Sequence, residues 1–511
     1  MSISRRTFLR AALMGGATLA LPIGALQFPM RRMLRAQEVT SPPVERFTLP
    51  LPIPPVLEPV ESDETTDYYE ITQREATAEL LPGYRTTIWG YNGIFPGPTI
   101  EARRGRQVVV RQINALPVPV VTHLHGGVTP PESDGYPTDL ILPVSGDGGH
   151  GSHGGNRTAG ERVYTYPNQQ PAATLWYHDH RMDFTGPQVY RGLAGLYIIR
   201  DEVEDALPLP RGQREVPLVI TDRIFDDDGE LFYPSIDDSL TGQPGVLPNF
   251  TNGVFGDTVL VNGAAWPVLD VSNTRYRFRI LNAANARPYM LALDPPPPNG
   301  PAFVQIGSDA GLLTAPVEHE ELRVTPAERF DVIVDFSGYP VGTQVVLRNR
   351  FDADGATAEV MRFDVVREEQ DESRIPVRLV EDDITLHPED AERTRNFQFL
   401  GSILGSMSTV NFKTFDPDRI DAKPRLDSTE IWHFGADPEH PIHLHLAHFK
   451  VIERDDREPD PWDVGWKDTV WIPSGGVRVI ARFSGYRGKY VFHCHNLEHE
   501  DMMMMANFEV I

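Results

Sequence analysis

The chain has 511 residues, of which 47 are basic and 72 acidic, giving a formal charge of −25. At roughly 150 residues per domain this predicts about three domains with ample core, and 40% apolar with 23% charged residues excludes wholesale disorder. The acidic balance excludes a binder of nucleic-acid backbones, and a single cysteine, Cys494, excludes an internal disulfide and clusters held by several thiolates.

The first element is an address. Paired Arg5-Arg6 precede Ala11 to Phe28, eighteen residues without a charge. A positive start followed by a Gly/Ala-rich apolar stretch predicts an export signal of the twin-arginine type over residues 1–36. Gly15, Gly16, Pro22 and Gly24 weaken the alternative of a spanning helix, for which eighteen residues is already short. Loss of residues 1–36 removes six arginines and no acids, so 41 bases against 72 acids leave −31. The expected destination is periplasmic or extracellular, with the signal as the only expected contact with a membrane.

Beyond residue 40, short β-branched and aromatic runs alternate with Pro and Gly. Gln107 to Ile113, Arg275 to Leu281, Val477 to Phe483 and Lys489 to Phe492 are examples. No long stretch has a 3.6-residue period, so the pattern predicts β-sandwiches with little helix. The chain also repeats itself. Asn92-Gly93 to Pro96 and Arg111 to Asn114 recur as Asn262-Gly263 to Pro267 and Arg279 to Asn282, at offsets of 170 and 168. His123-Leu124-His125 recurs as His443-Leu444-His445, and Tyr177-His178-Asp179-His180 as Phe492-His493-Cys494-His495, at offsets of 320 and 315. These echoes predict three related β-sandwich domains near 40–202, 210–368 and 374–511.

Four H-x-H units stand out among the sixteen histidines: His123/His125, His178/His180, His443/His445 and His493/His495. In a strand, residues i and i+2 point to one face, so each unit offers two imidazoles in one direction. Eight neutral nitrogens from the first and last domains suit a cluster of copper, zinc or iron. Cys494, between His493 and His495, points to the opposite face. With His440 upstream, His499 five residues on and Met504 ten residues on, it has the ligand set of a blue-copper electron-transfer centre. In the run Met502 to Met505 the spacing selects Met504, and alternation sends Met503 and Met505 the other way. Residues 493–495 then form a short covalent wire from an electron-accepting copper to a multi-histidine cluster.

The motifs THLHGG, LWYHDH, HPIHLHLAHF and HCHNLEHED, with NGIFPGPTIEARRG in the first domain, resemble the copper-binding segments of multicopper oxidases. The similarity is greatest to three-cupredoxin-domain bacterial laccases of the spore-coat type and to bilirubin oxidases, and it covers nearly all of the chain after the signal. It implies an all-β chain of three consecutive cupredoxin-like Greek-key domains and four copper ions, one type 1, one type 2 and two type 3. By position, it assigns the type 1 copper to His440, Cys494 and His499 with Met504 axial. The type 2 copper falls to His123 and His443. One type 3 copper falls to His125, His178 and His495, the other to His180, His445 and His493. Glu500 and Asp134 resemble the family's proton-handling acids. Asp179 stands where Cys494 stands in the last repeat, so the first domain is expected to lack a type 1 site. The middle domain has no H-x-H unit and is expected to be a spacer framing the substrate side.

The activity implied is one-electron oxidation of phenols, aromatic amines or bilirubin-like pigments coupled to four-electron reduction of O2 to water. The expected partners are O2 and small aromatic reductants, with no nucleic acid, and the chain is expected to be a monomer. Two other functions compete. A cuprous oxidase of copper tolerance would be favoured by a Met-rich insertion over the type 1 site, and the Met run here lies on the ligand segment itself. A non-catalytic exported scaffold would not need all twelve ligand positions filled. The remaining histidines, His150, His153, His319, His387, His433 and His448, are expected in surface or core roles, and Gly146 to Gly155 is expected to be a flexible loop.

Overall fold

The short β-branched and aromatic runs of the sequence form strands. Gln107–Asn114, Arg275–Asn282, Gly475–Arg482 and Gly488–Cys494 are all extended, and along Gln107–Asn114 residues 108, 110, 112 and 114 are the buried ones. The computed structural model describes residues 39–146, 155–381, 386–401 and 407–511. The predicted export signal, and most of the glycine-rich loop with His150 and His153, lie outside the described residues.

Strands between residues 61 and 200 form a five-stranded and a four-stranded sheet, those between 215 and 367 a seven-stranded and a five-stranded sheet, and those between 393 and 510 a five-stranded and a four-stranded sheet. In the larger sheet of each third of the chain one strand pairs in parallel with a later one. The pairs are Thr66–Ala78 with Gln107–Asn114, Glu215–Arg223 with Arg275–Asn282, and Arg393–Leu400 with Thr429–Ala436. Parallel neighbours require a crossover between the two sheets, which makes each unit a sandwich rather than a meander. Each sandwich encloses its own apolar core, for example Val108, Val110, Leu124 and Tyr177 in the first and Trp432, Phe434, Phe492 and Phe508 in the last.

The sequence repeat has a structural cause. Asn92-Gly93 and Asn262-Gly263 both have positive φ at the two positions, the backbone that Asn-Gly favours in tight turns. Asn92 Oδ1 accepts from the Thr72 N–H at 2.9 Å, and Asn262 Oδ1 from the Val219 N–H at 2.8 Å. At the other end of the repeat, Asn114 Nδ2 donates to the Val118 and Ile141 carbonyls, and Asn282 Nδ2 to those of Arg287 and Val324. The same residue closes the same corner twice.

Four strands position the paired histidines: β1 (Thr122–His125), β2 (Ala173–Asp179), β3 (His440–Leu444) and β4 (Gly488–Cys494). Two short helices accompany them, α1 (Thr185–Tyr190) and α2 (Leu497–Asp501). β1 and β2 pair antiparallel with His123 opposite His178, and β3 and β4 with His443 opposite His493 and Ile442 opposite Cys494. Among the described residues no helix is long and apolar enough to cross a membrane.

The first two sandwiches are joined by buried charges. Arg277 and Arg279, adjacent on one face of their strand, meet Glu204, Glu215 and Asp331, with Arg279 Nε donating to Glu215 at 2.6 Å. Burial would raise the Glu215 carboxyl, but Arg279, Arg277 and Arg200 outweigh it and hold the group far below its ordinary value of 4.5. A carboxylate depressed in this way stabilises the fold fully above its unfolded value and loses that contribution as pH falls toward the folded one. Glu215→Gln is expected to cost about 3–5 kcal/mol at neutral pH, because it strands buried guanidinium groups. Between neutrality and about pH 3 the variant should lose less stability than the parent. Thermal melts at both pH values check the sign, and equal acid sensitivity of the two proteins would refute it.

Candidate metal centres

Strand register brings the eight H-x-H imidazoles into one buried space. The rings of His125 and His443 stack with centroids 3.6 Å apart, those of His123 and His445 with centroids 3.8 Å apart, and His180 Nε2 lies 3.2 Å from His493 Nε2. These contacts join β1 and β2 of the first sandwich to β3 and β4 of the last. Three subsets have ligand atoms close enough for one ion: His123/His125/His178, His123/His443/His445 and His180/His445/His493.

Several ring nitrogens in this space have no hydrogen-bond partner. They are Nε2 of His123, His178 and His443, Nδ1 of His125 and His180, and both nitrogens of His495. A buried polar atom left unpaired costs about 1–3 kcal/mol, so such a set is stable only if something fills it. Burial, then the neighbouring imidazoles, holds His123 and His445 well below the ordinary histidine range. His178 is lowered to about 3 and His180 to about 4, again by burial first. Neutral imidazoles with a free nitrogen are metal ligands, and the donor set fits copper ions.

A second group lies on the other face of β4. His440 Nδ1 is 3.3 Å from Cys494 Sγ, His499 Nδ1 is 3.8 Å from it, and the two imidazole nitrogens are 3.2 Å apart. All three side chains are buried. The Asn496 N–H donates to the sulfur at 3.4 Å. Burial pushes the thiol well above its ordinary pKa, so the thiolate forms only with a cation beside it. Met504 shares the core cluster of Cys494, and its N–H donates to the His499 carbonyl at 3.0 Å. Met503 and Met505 belong to a different apolar cluster, with Tyr136, Met182 and Val491. His440 is fixed from behind by Asp437 Oδ1, 2.7 Å from Nε2.

The repeat lacks this second group in the first sandwich. At the offsets of 320 and 315, Val120, Asp179, Phe184 and Val189 stand for His440, Cys494, His499 and Met504. Asp179 instead accepts from the main-chain N–H groups of Val121 and Arg181 at 3.0 Å.

Both acids singled out in the sequence reach the histidine cluster. Glu500, on α2, has Oε1 3.3 Å from His180 Nδ1 and Oε2 3.2 Å from His493 Nδ1, and it accepts from Thr185 Oγ1 at 2.8 Å. Burial would raise it, but the two histidines hold it low. Asp134 Oδ2 lies 2.8 Å from His445 Nδ1, and its main-chain carbonyl accepts from His123 Nδ1. Burial raises the Asp134 carboxyl well above its ordinary range.

The middle sandwich is more than a spacer. It frames the His499 side, where Asn496 Nδ2 donates to the Asn252 carbonyl at 3.0 Å. It also reaches the cluster, because Arg329 forks onto Asp468, whose Oδ1 is 3.1 Å from His125 Nε2. Burial would raise Asp468, and Arg329 outweighs that to hold it far below the carboxylate range. Glu498, on α2, meets Tyr233 Oη at 2.9 Å and Asn285 Nδ2 at 2.8 Å, and burial raises it to about 7. Sequence reasoning missed Asp437, Asp468, Arg329, Thr185 and Glu498. Of these only Glu498 and Asp437 lie within a ligand motif or three residues of a ligand, which is the one signal that marks them. His319 is buried against Gln305, His448 Nε2 is 2.9 Å from the Gly126 carbonyl, and His387 is exposed.

Comparison with known proteins agrees with this geometry. Two family models described as multicopper oxidase match residues 72–204 and 383–511. The chain is 39% identical over 531 residues to a laccase of Bacillus subtilis (strain 168), covering 91% of this chain and 99% of that protein. It is 36% identical over 505 residues to a bilirubin oxidase of Albifimbria verrucaria, covering 92% and 82%. The crystal structure of a laccase from Pediococcus acidilactici Pa5930 superposes with a TM-score of 0.80 at 32% identity, covering 93% and 95%. With three β-sandwiches, a buried histidine cluster and a His–Cys–His group one residue away from it, this chain belongs to the multicopper oxidase family, as a copper-dependent oxidoreductase of the laccase type that uses O2.

Proposed function

We propose that the chain holds four copper ions. His440, Cys494, His499 and Met504 hold a type 1 ion, and His123 and His443 a type 2 ion. A type 3 pair is held by His125, His178 and His495 and by His180, His445 and His493. The observation that carries this reading is the alternation His493-Cys494-His495, which puts the sulfur on one face of the strand and two cluster ligands on the other. When bound, copper supplies one-electron redox chemistry, so that four single-electron oxidations are matched to one O2, four protons and two waters.

The substrates are phenols, aromatic amines or bilirubin-like pigments. Cys494 conducts each electron from its sulfur through its own main chain to the neighbouring imidazoles, so a reductant needs only to approach the ligands of the type 1 ion. His499 lies at that edge and is slightly exposed, at 6%. Glu500 is a carboxylate set between Thr185, His180 and His493, placed to pass protons to the cluster, and Asp134 holds a proton beside His445. The fully buried walls of the cluster keep bulk water from the reacting oxygen. The protein is exported through the twin-arginine signal to the periplasm or beyond and acts as a monomer.

Oxygen uptake by copper-loaded protein with a dimethoxyphenol, in buffer cleared of free copper, tests the reading. Rapid uptake is expected. Little uptake until a cuprous salt is supplied would replace it with cuprous oxidation.

A further inference from the structure

We infer that Asp468, clamped by Arg329 of the middle sandwich, is a positioning residue that fixes the ring nitrogen presented by His125 and by His443 at once. The inference rests on the proposed reading of these two histidines as copper ligands.

Arg329 has five N–H donors, and the structure uses all of them. Nε donates to the Thr174 carbonyl at 3.0 Å, in the first sandwich. Nη1 donates to Asp468 Oδ1 at 2.8 Å and to the Ala327 carbonyl at 2.9 Å. Nη2 donates to Asp468 Oδ2 and to the Asp309 carbonyl at 3.0 Å. One guanidinium with no solvent exposure thus ties all three sandwiches together, and its fork leaves the Asp468 carboxylate no rotational freedom.

Asp468 meets the histidine cluster with two different groups. Its carboxylate Oδ1 accepts from His125 Nε2 at 3.1 Å, and its main-chain carbonyl accepts from His443 Nδ1 at 2.9 Å. The nitrogens left over, His125 Nδ1 and His443 Nε2, are the ones without any partner. A ligating histidine presents one nitrogen to the metal, and the hydrogen bond at the other decides which. A single residue therefore sets the tautomer and the tilt of two rings that stack face to face from opposite ends of the chain. Thr469 Oγ1 donates to the same Oδ1 at 2.9 Å.

The sequence leaves room for this clamp at one conspicuous place. Gly126 directly follows His125, has φ +85°, and a Cβ there would lie 2.7 Å from both Arg329 Nη2 and Asp468 Oδ2. The glycine of THLHGG is the space the ion pair occupies.

The test uses full-length copper-loaded protein and two variants. Asp468→Asn keeps the main-chain carbonyl and the side-chain shape but removes the charge. Arg329→Lys keeps the charge but removes the fork. Both are expected to alter the near-ultraviolet absorbance of the type 3 pair, through His125, and the electron paramagnetic resonance of the type 2 copper, through His443, and to weaken copper retention against a chelator, about 10- to 100-fold for Asp468→Asn and less for Arg329→Lys. The blue absorbance at Cys494 should persist in both. A lowered melting temperature with unchanged type 2 and type 3 spectra and unchanged retention would mean that the clamp is only a brace, and would overturn the inference. Should Asp468→Asn fail to fold, Arg329→Lys carries the same two readouts and decides between clamp and brace in the same way. Failure of the parent itself to show a type 2 signal would instead refute the ligand assignment, and the inference with it.

Discussion

Cys494→Ser is expected to abolish the blue colour and to lower oxidase turnover by at least about a thousandfold, equivalent to about 4 kcal/mol of barrier, while leaving the copper-free protein folded. The sulfur is the point at which His440 and His499 converge, at 3.3 and 3.8 Å. No other cysteine can replace it. The substitution removes one atom's softness rather than volume, so its cost to the fold is confined to burying a hydroxyl, about 1–3 kcal/mol. The comparison is therefore made between copper-free parent and copper-free variant by thermal melt, and between loaded forms by absorbance and oxygen uptake. A variant that still oxidised phenols at the parent rate would show that electrons enter elsewhere.

Glu500→Gln is expected to lower oxygen consumption by about 10²- to 10⁴-fold, the range of a positioned proton-transfer group, without slowing anaerobic bleaching of the blue centre by a phenol. The separation follows from geometry. Glu500 lies against His180 and His493, on the face of β4 away from Cys494 Sγ, and has no part in the sulfur's ligand group. Its carboxyl is buried and supplied through Thr185 Oγ1 at 2.8 Å, so no solvent proton substitutes for it directly. Equal slowing of bleaching and of oxygen consumption would place the effect at electron entry and refute the assignment.

What the sequence makes legible is what strand geometry repeats locally. H-x-H and H-C-H are readable because two-residue alternation fixes which side chains share a face, and Asn-Gly is readable because few other residues take its backbone. Hence the ligand motifs, the three sandwiches and the doubled corners at Asn92 and Asn262 all follow from the chain itself. The supports around the cluster are not local. Arg329 opens an ordinary strand, Asp468 precedes another, and Thr185 begins a helix of six residues. Nothing in their spacing links them to partners 139 to 343 positions away. The middle domain illustrates the limit: lacking histidine pairs, it reads as a spacer, yet it supplies partners to Glu498 and Asn496 and an arginine whose own partners come from both neighbouring sandwiches.

The pairing of β1 and β2 with β3 and β4 around one cluster also sets an order of events in synthesis. His123 and His495 are separated by 372 positions, so a ribosome-bound chain that has completed the first sandwich displays half of a site and cannot close it. The incomplete half offers imidazoles to whatever cation is abundant, and the finished cluster forms only after residue 495 has emerged and the last sandwich has docked. Metal loading is thus a late, post-translational event whose fidelity depends on which cations the folded chain meets first.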